Sequence, residues 1–248
     1  MKTIGMLGGM SWESTAEYYR IINERVRDRL GGLNSASILL HSCNFAEIER
    51  LQQRDDWNQA AQLMIDAAIA VERGGADFLI ICTNTMHICA EAVCDAVSIP
   101  LLHIADATAQ RVTAAGLRRV ALLGTAFTME REFYKGRLTD RFGLQVLTPP
   151  KDDRGIVHRI IYDELCRGEI RDESRRAFRR IINGLLDSGA QGVILGCTEI
   201  GLLIKPADSP IPIFDTTRIH AEAAVDLALS QDGSGDGSSD IAADNHPR

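Results

Sequence analysis

No stretch of this sequence approaches the roughly 20 apolar residues that a helix needs to cross a bilayer, so no membrane span is expected. Positive charge is also scarce: 27 Lys and Arg stand against 34 Asp and Glu, a formal charge of -7. Without a basic surface to neutralise phosphates, neither nucleic acid nor an anionic membrane is an expected partner. The opening MKTIGMLGG reaches its glycines before an apolar signal core develops, so a cytoplasmic protein is expected, with its six cysteines as reduced thiols. Zinc-ligand spacing is missing too. Cys89 and Cys94 are five apart on an expected helix, and His87 and Cys89 fall on different faces of it, so no metal site is expected. Gly8-Gly9-Met10-Ser11 is neither GxGxxG nor a P-loop, which removes the dinucleotide and ATP readings.

What the sequence does hold is a repeat. GGADFLIICTNTMH (Gly74 to His87) aligns without gaps on SGAQGVILGCTEIG (Ser188 to Gly201), placing Gly75 on Gly189, Thr83 on Cys197 and Asn84 on Thr198, an offset of 114 residues. Each copy is a helix end at glycine, an apolar run too short for a helix, and a polar stop, which is the pattern of a buried parallel strand. Thr3 to Gly9 is echoed by Arg119 to Thr125, Glu17-Tyr18-Tyr19-Arg20 by Glu132-Phe133-Tyr134-Lys135, and Ile99-Pro100-Leu101-Leu102 by Ile211-Pro212-Ile213-Phe214. Matches in one order along the chain indicate an internal duplication.

The expected fold is therefore α/β: two pseudo-symmetric doubly wound domains with central parallel sheets and the active site between them. Residues 1–103 plus 215–230 are expected to form the first domain and 104–214 the second, since the helix from Arg218 to Leu229 follows the second boundary and can return to the first half. The remainder, 231–248, is Gly/Ser/Asp-rich and apolar-poor and reads as a disordered tail. Ser37 to His41 reads as the second strand, Asn44 to Asn58 as a helical loop over the cleft, and Gln59 to Arg73 as a helix. Ser11 or Ser14 is expected to cap the first helix, with Glu17 completing a capping box on Ser14. Asn84-Thr85 is expected to cap a helix from Met86 to Val97, and Ile99 is expected to open a further strand. The arginines at 175, 176, 179 and 180 share a helical spacing with Glu173 and read as a solvated face.

Ligands of open α/β sheets sit beyond the carboxyl ends of strands, so Thr83 and Cys197 are expected to face each other across a cleft. Cys197 lies at an expected helix start, where the dipole should lower its pKa. A thiol hydrolase would want an orienting histidine, and none follows Cys197 until His220. Two equivalent groups on opposite faces of one carbon suit stereoinversion instead, one removing a proton while the other supplies one.

These residues resemble the aspartate/glutamate racemase family, the cofactor-independent amino-acid racemases, in its acidic or broad-specificity branch. The likeness lies in GGMSWEST (Gly8 to Thr15), CTNTMH (Cys82 to His87) and GCTE (Gly196 to Glu199) and extends from about Thr3 to Leu229. It implies a PLP-independent isomerase without cofactor or metal, acting on L-aspartate or L-glutamate, and a homodimer. It also implies Thr83 and Cys197 as catalytic positions and Met10, Ser11, Asn84, Thr85, Met86, Thr125, Thr198 and Glu199 as binding positions. From the loop over the cleft, Gln52 is the first choice to meet the substrate side chain, with Arg50 and Arg54 as charged alternatives for a second carboxylate.

One departure stands out. Relatives carry a cysteine where this chain has Thr83, and Cys82 comes one position early, so it points to the opposite face of its strand. A hydroxyl is a far poorer base than a thiol of pKa about 8.5. The resemblance puts the second-half cysteine on the L side, so conversion from L to D is expected to be favoured. One-thiol decarboxylation, cis-trans isomerisation of a dicarboxylate, and amino-acid binding without turnover are the alternatives.

Overall fold

The computed structural model describes residues 1–230; the tail expected at 231–248 lies outside the described residues. The apolar runs form two parallel sheets. The first consists of β1 (Ile4–Gly8), β2 (Ile38–Ser42) and β3 (Phe78–Ile81) in the order β2-β1-β3. The second consists of β4 (Arg119–Gly124), β5 (Gln145–Leu147), β6 (Gly192–Gly196) and β7 (Ile213–Asp215) in the order β5-β4-β6-β7. Helices α1 (Trp12–Leu30), α2 (Phe45–Gln53), α3 (Trp57–Arg73) and α4 (Ala90–Ala96) connect the first set. Helices α5 (Ile104–Ala114), α6 (Ala126–Glu130), α7 (Glu132–Phe142), α8 (Lys151–Asp163), α9 (Asp172–Asp187), α10 (Ile200–Leu203) and α11 (Thr216–Leu229) complete the second half and the return.

The inner strands of both sheets are buried on both faces, so their residues alternate between two cores. Leu79 and Ile81 pack against α2, α3 and α4, whereas Phe78, Ile80 and Cys82 pack against α1 and α11. In the second sheet Val193 and Leu195 turn toward α8 and α9, while Ile194 turns toward α5 and α7. Each such buried aliphatic contributes about 1.5–3 kcal/mol relative to exposure. Helix α11 serves both cores: Ala221, Ala224, Val225 and Ala228 pack with Tyr18, Ile22 and Val26 of α1, and Ile219 enters the cluster around α5.

The register carries the duplication into three dimensions. Leu7 pairs with Ile81 in the first sheet and Leu123 with Leu195 in the second. Thr83 and Cys197 each lie two residues past those matched pairs. The proline segments also correspond, since Leu79 N–H donates to Pro100 O at 2.8 Å and Val193 N–H to Pro212 O at 2.9 Å. They then diverge. The strand expected at Ile99–Leu102 is a single bridge, Leu101 to Leu79. His103 already caps α5 by accepting from Ala105 N–H, so the chain turns away from the sheet, whereas β7 runs on to Asp215 before α11.

Other expectations shift for local reasons. Ser11, not Ser14, caps α1, and Glu17 pairs with Arg20 instead of closing a capping box. The segment after Asn84 is a 3-10 turn, Thr85–Cys89, followed by the short α4, and Asn84 makes no capping bond: its Nδ2 donates to Thr216, and its Oδ1, the atom a cap would use, meets no backbone N–H. On α9, Arg176 pairs with Glu173 at 3.8 Å and Arg180 reaches Asp153 of α8 at 2.6 Å, both exposed, whereas Arg175 is half-buried and turns to Leu203 O and Asp208, so it leaves the solvated face expected for it. Among the described residues, no helix is long and apolar enough to cross a membrane.

Candidate active site

The polar residues at the strand ends bond to one another across the two halves. From β1 the chain passes through Gly9, whose φ of 84° and tight surroundings exclude a side chain: an added Cβ would lie 2.2 Å from Cys43 O. Only glycine fits there. The turn sets Ser11 at the head of α1, where its hydroxyl accepts from Ser14 N–H and donates to Glu199 Oε1 at 2.8 Å.

Glu199 belongs to the second half, and its other oxygen, Oε2, accepts from Thr198 Oγ1 at 2.7 Å and from Cys197 Sγ at 3.0 Å. One carboxylate thus gathers the thiol, a neighbouring hydroxyl and a hydroxyl from the opposite half. Cys197 is 8% exposed, and its pKa is raised well above the ordinary thiol value. Burial is the largest cause, the Glu199 charge the next, and Cys166 adds to both. The expectation of a lowered pKa is thereby overturned. The helix after Cys197 is one turn long and starts only at Ile200, whereas a full carboxylate sits within hydrogen-bond distance of the sulfur.

Further contacts join the halves. Thr85 Oγ1 lies 3.0 Å from Thr125 Oγ1, and Thr125 lies 3.2 Å from Thr128 Oγ1. Asn84 Nδ2 donates to Thr216 Oγ1 at 2.9 Å, which donates onward to Leu195 O. Asn84 Oδ1 is buried without a partner, an acceptor available to a ligand N–H or O–H. On α2, Gln52 is buried, donating to Met86 Sδ at 3.2 Å and accepting from Tyr162 of α8 at 3.0 Å. Arg50 and Arg54 on the same helical segment are exposed, as alternation on a helix surface requires once Gln52 faces inward.

Cys82 is 1% exposed in the α1/α11 core, and burial pushes its thiol up, while Thr83, past the end of β3, is half-buried. Met10 lies in the core beside Met86 and Leu7. The structure thus brings Ser11, Glu199, Thr198 and Cys197 into one bonded group, Thr85 and Thr125 into a second, and Gln52 and Met86 into a third. Tyr162, Thr128 and Thr216 complete these groups. They carry no motif of their own, and only their place after a strand or on a facing helix brings them in.

Two parallel-sheet halves meeting at their strand ends over a thiol, a carboxylate and a set of hydroxyls define a two-domain α/β protein of the Asp/Glu racemase fold. The sequence model of that group, described as Asp/Glu/Hydantoin racemase, matches residues 7–224, so the chain belongs to this family. A protein from Yersinia pestis assigned to the Asp/Glu racemases is 53% identical, with a TM-score of 0.87, over 93% of this chain and 100% of its own. An aspartate racemase homologue from Pyrococcus horikoshii is 35% identical, with a TM-score of 0.80 and the same coverage. The broad specificity amino-acid racemase RacX of Bacillus subtilis is 23% identical over 92% of this chain and 98% of its own.

Proposed function

We propose that this protein is an amino-acid racemase that works without PLP by two-base proton transfer on L-aspartate or L-glutamate, with residues 1–103 plus 215–230 as one half of the machine and 104–214 as the other. The observation that carries the reading is the matched position of Thr83 and Cys197, each two residues beyond equivalent strand pairs in halves bonded together at that level. Membership of the family supports the reaction class.

In this reading Cys197 acts from the L face of the α-carbon. Its resting thiol is protonated and bonded to Glu199, and as substrate enters it must release that proton to solvent water before it can take one from substrate. A substrate ammonium beside Glu199 offsets the carboxylate charge and makes the thiolate easier to form, so the base is generated when substrate arrives. Thr83, or a water that it holds, returns a proton to the opposite face. Asn84, Thr85, Thr125 and Thr198 supply donors to the α-carboxylate and acceptors to the ammonium, while Met10, Ser11, Gln52 and Met86 shape the remaining contacts. The half-buried Gln52–Tyr162 pair meets the substrate side chain with neutral hydrogen-bonding groups.

The equal free energy of the enantiomers leaves the equilibrium untouched, so a preference for L over D is kinetic: from the D side the weak hydroxyl would have to act as base. Incubation with L-aspartate or L-glutamate in deuterated water, followed by chiral analysis and mass spectrometry, tests the proposal. Appearance of deuterated D-amino acid is expected. Carbon dioxide release, or binding with neither exchange nor inversion, would refute it in favour of a decarboxylase or a non-catalytic binder.

A further inference from the structure

Three buried histidines lie where the chain first crosses between the halves: His87 after Met86, His103 at the head of α5, and His220 on α11. The ring of His87 is 4.5 Å from that of His103 and 5.9 Å from that of His220. Their partners settle the tautomers. Backbone carbonyls only accept, so Nδ1 of His87, 2.7 Å from Thr83 O, carries the hydrogen, and Nε2 accepts from Ile104 N–H at 3.2 Å. His220 is the reverse: Nε2 donates to Leu102 O at 2.8 Å, and Nδ1 accepts from Tyr18 Oη at 2.9 Å. A second hydrogen on His87 would point at Ile104 N–H, an existing donor. Burial, then His103 and His220, with Arg137 beyond them, hold His87 neutral against the pull of the Thr83 carbonyl. Arg137 itself is paired with Asp106.

The crossing segment Leu102-His103-Ile104 is therefore held at Leu102 by His220 and at Ile104 by His87. The same His87 ring holds the backbone carbonyl of Thr83. One side chain links the position that faces the α-carbon from the first half to the segment that sets how that half meets the second.

We propose that His87 is a positioning residue for inversion, fixing Thr83 through its carbonyl while locking the crossing segment. The inference rests on the racemase reading above, because it assigns Thr83 to the return of the proton. With Thr83 displaced, Cys197 can still remove and restore the α-hydrogen on the L face, so exchange outlives inversion.

Two substitutions separate the two bonds. His87→Gln keeps an acceptor where Nε2 meets Ile104 N–H and loses the donor to Thr83 O; His87→Asn keeps that donor and loses the acceptor. Deuterium exchange into remaining L-substrate and formation of the D-form are measured together for the parent and both variants. In His87→Gln inversion is expected to fall about tenfold or more relative to exchange, as misplacement of a reacting group by an ångström commonly does, whereas His87→Asn keeps the parent ratio within about twofold. Exchange and inversion falling in equal proportion in both variants would overturn the proposal. Nitrogen NMR of the unaltered protein is a second check that needs no variant: the Nδ1–H tautomer of His87 is expected, and the Nε2–H tautomer overturns it. A parent that neither exchanges nor inverts overturns the racemase reading itself, whatever tautomer is found.

Discussion

Replacing Glu199 by glutamine tests the electrostatics of the thiol most directly. The carboxylate Oε2 lies 3.0 Å from Cys197 Sγ, and its charge is the largest cause of the raised thiol pKa after burial. Coulomb's law at this separation gives about 1.4 kcal/mol if the pair is screened as in bulk water, and about 5.5 kcal/mol at an effective dielectric of about 20. Removing that charge should therefore lower the Cys197 pKa and raise its thiolate fraction at a fixed pH by about tenfold or more. The rate of alkylation by iodoacetamide against pH, followed by mass mapping of the peptide that contains Cys197, reads the thiolate fraction at this residue alone. Ser11→Ala is the control, because it removes a bond to Glu199 and leaves the charge. An alkylation profile that stays in place in Glu199→Gln, or shifts as far in Ser11→Ala, would refute the account of the thiol as held protonated by its neighbour's charge.

Thr83→Cys should raise the initial rate from the D-enantiomer more than from the L, since it supplies the thiol base that the D side lacks; equal gains from both sides in a chiral assay count against the assignment. Cys197→Ser should abolish both exchange and inversion, whereas Cys82→Ala, in the α1/α11 core, should keep activity and lose about 1–2 kcal/mol in urea unfolding. Acid should destabilise the fold before its carboxylates titrate. His220 is held near 4 and His103 near 2 by burial first, so the unfolded chain binds protons below pH 6.5 that the folded chain refuses, and stability is lost as pH falls. For His220 this amounts to about 3 kcal/mol by pH 4, and denaturant midpoints that stay constant between pH 7 and 5 would contradict it.

The duplication was legible in the sequence because strand periodicity and glycine placement are local. Buried parallel strands must be apolar on both faces and must stop at polar residues, so the Thr83 and Cys197 segments announced themselves and each other at one offset. Alternation alone predicted that Cys82 would turn away from the strand-end cluster, and Cys82 sits in the α1/α11 core. The strand at Ile99 failed because pattern cannot weigh the competing cap: His103 takes Ala105 N–H and starts a helix where the second copy continues as β7.

The state of the thiol was decided only by tertiary structure. Proximity to a helix start is a sequence feature, but burial of the thiol and the turning of the Glu199 carboxylate onto its sulfur are not, and a charge at 3.0 Å outweighs the dipole of a one-turn helix. The same holds for Tyr162 on Gln52, Thr216 on Asn84, and His87 and His220 on the crossing segment. Each partner is between 17 and 132 residues away along the chain, as in Ile104 on His87 and Thr216 on Asn84, and no local pattern encodes a meeting that packing of the two halves creates.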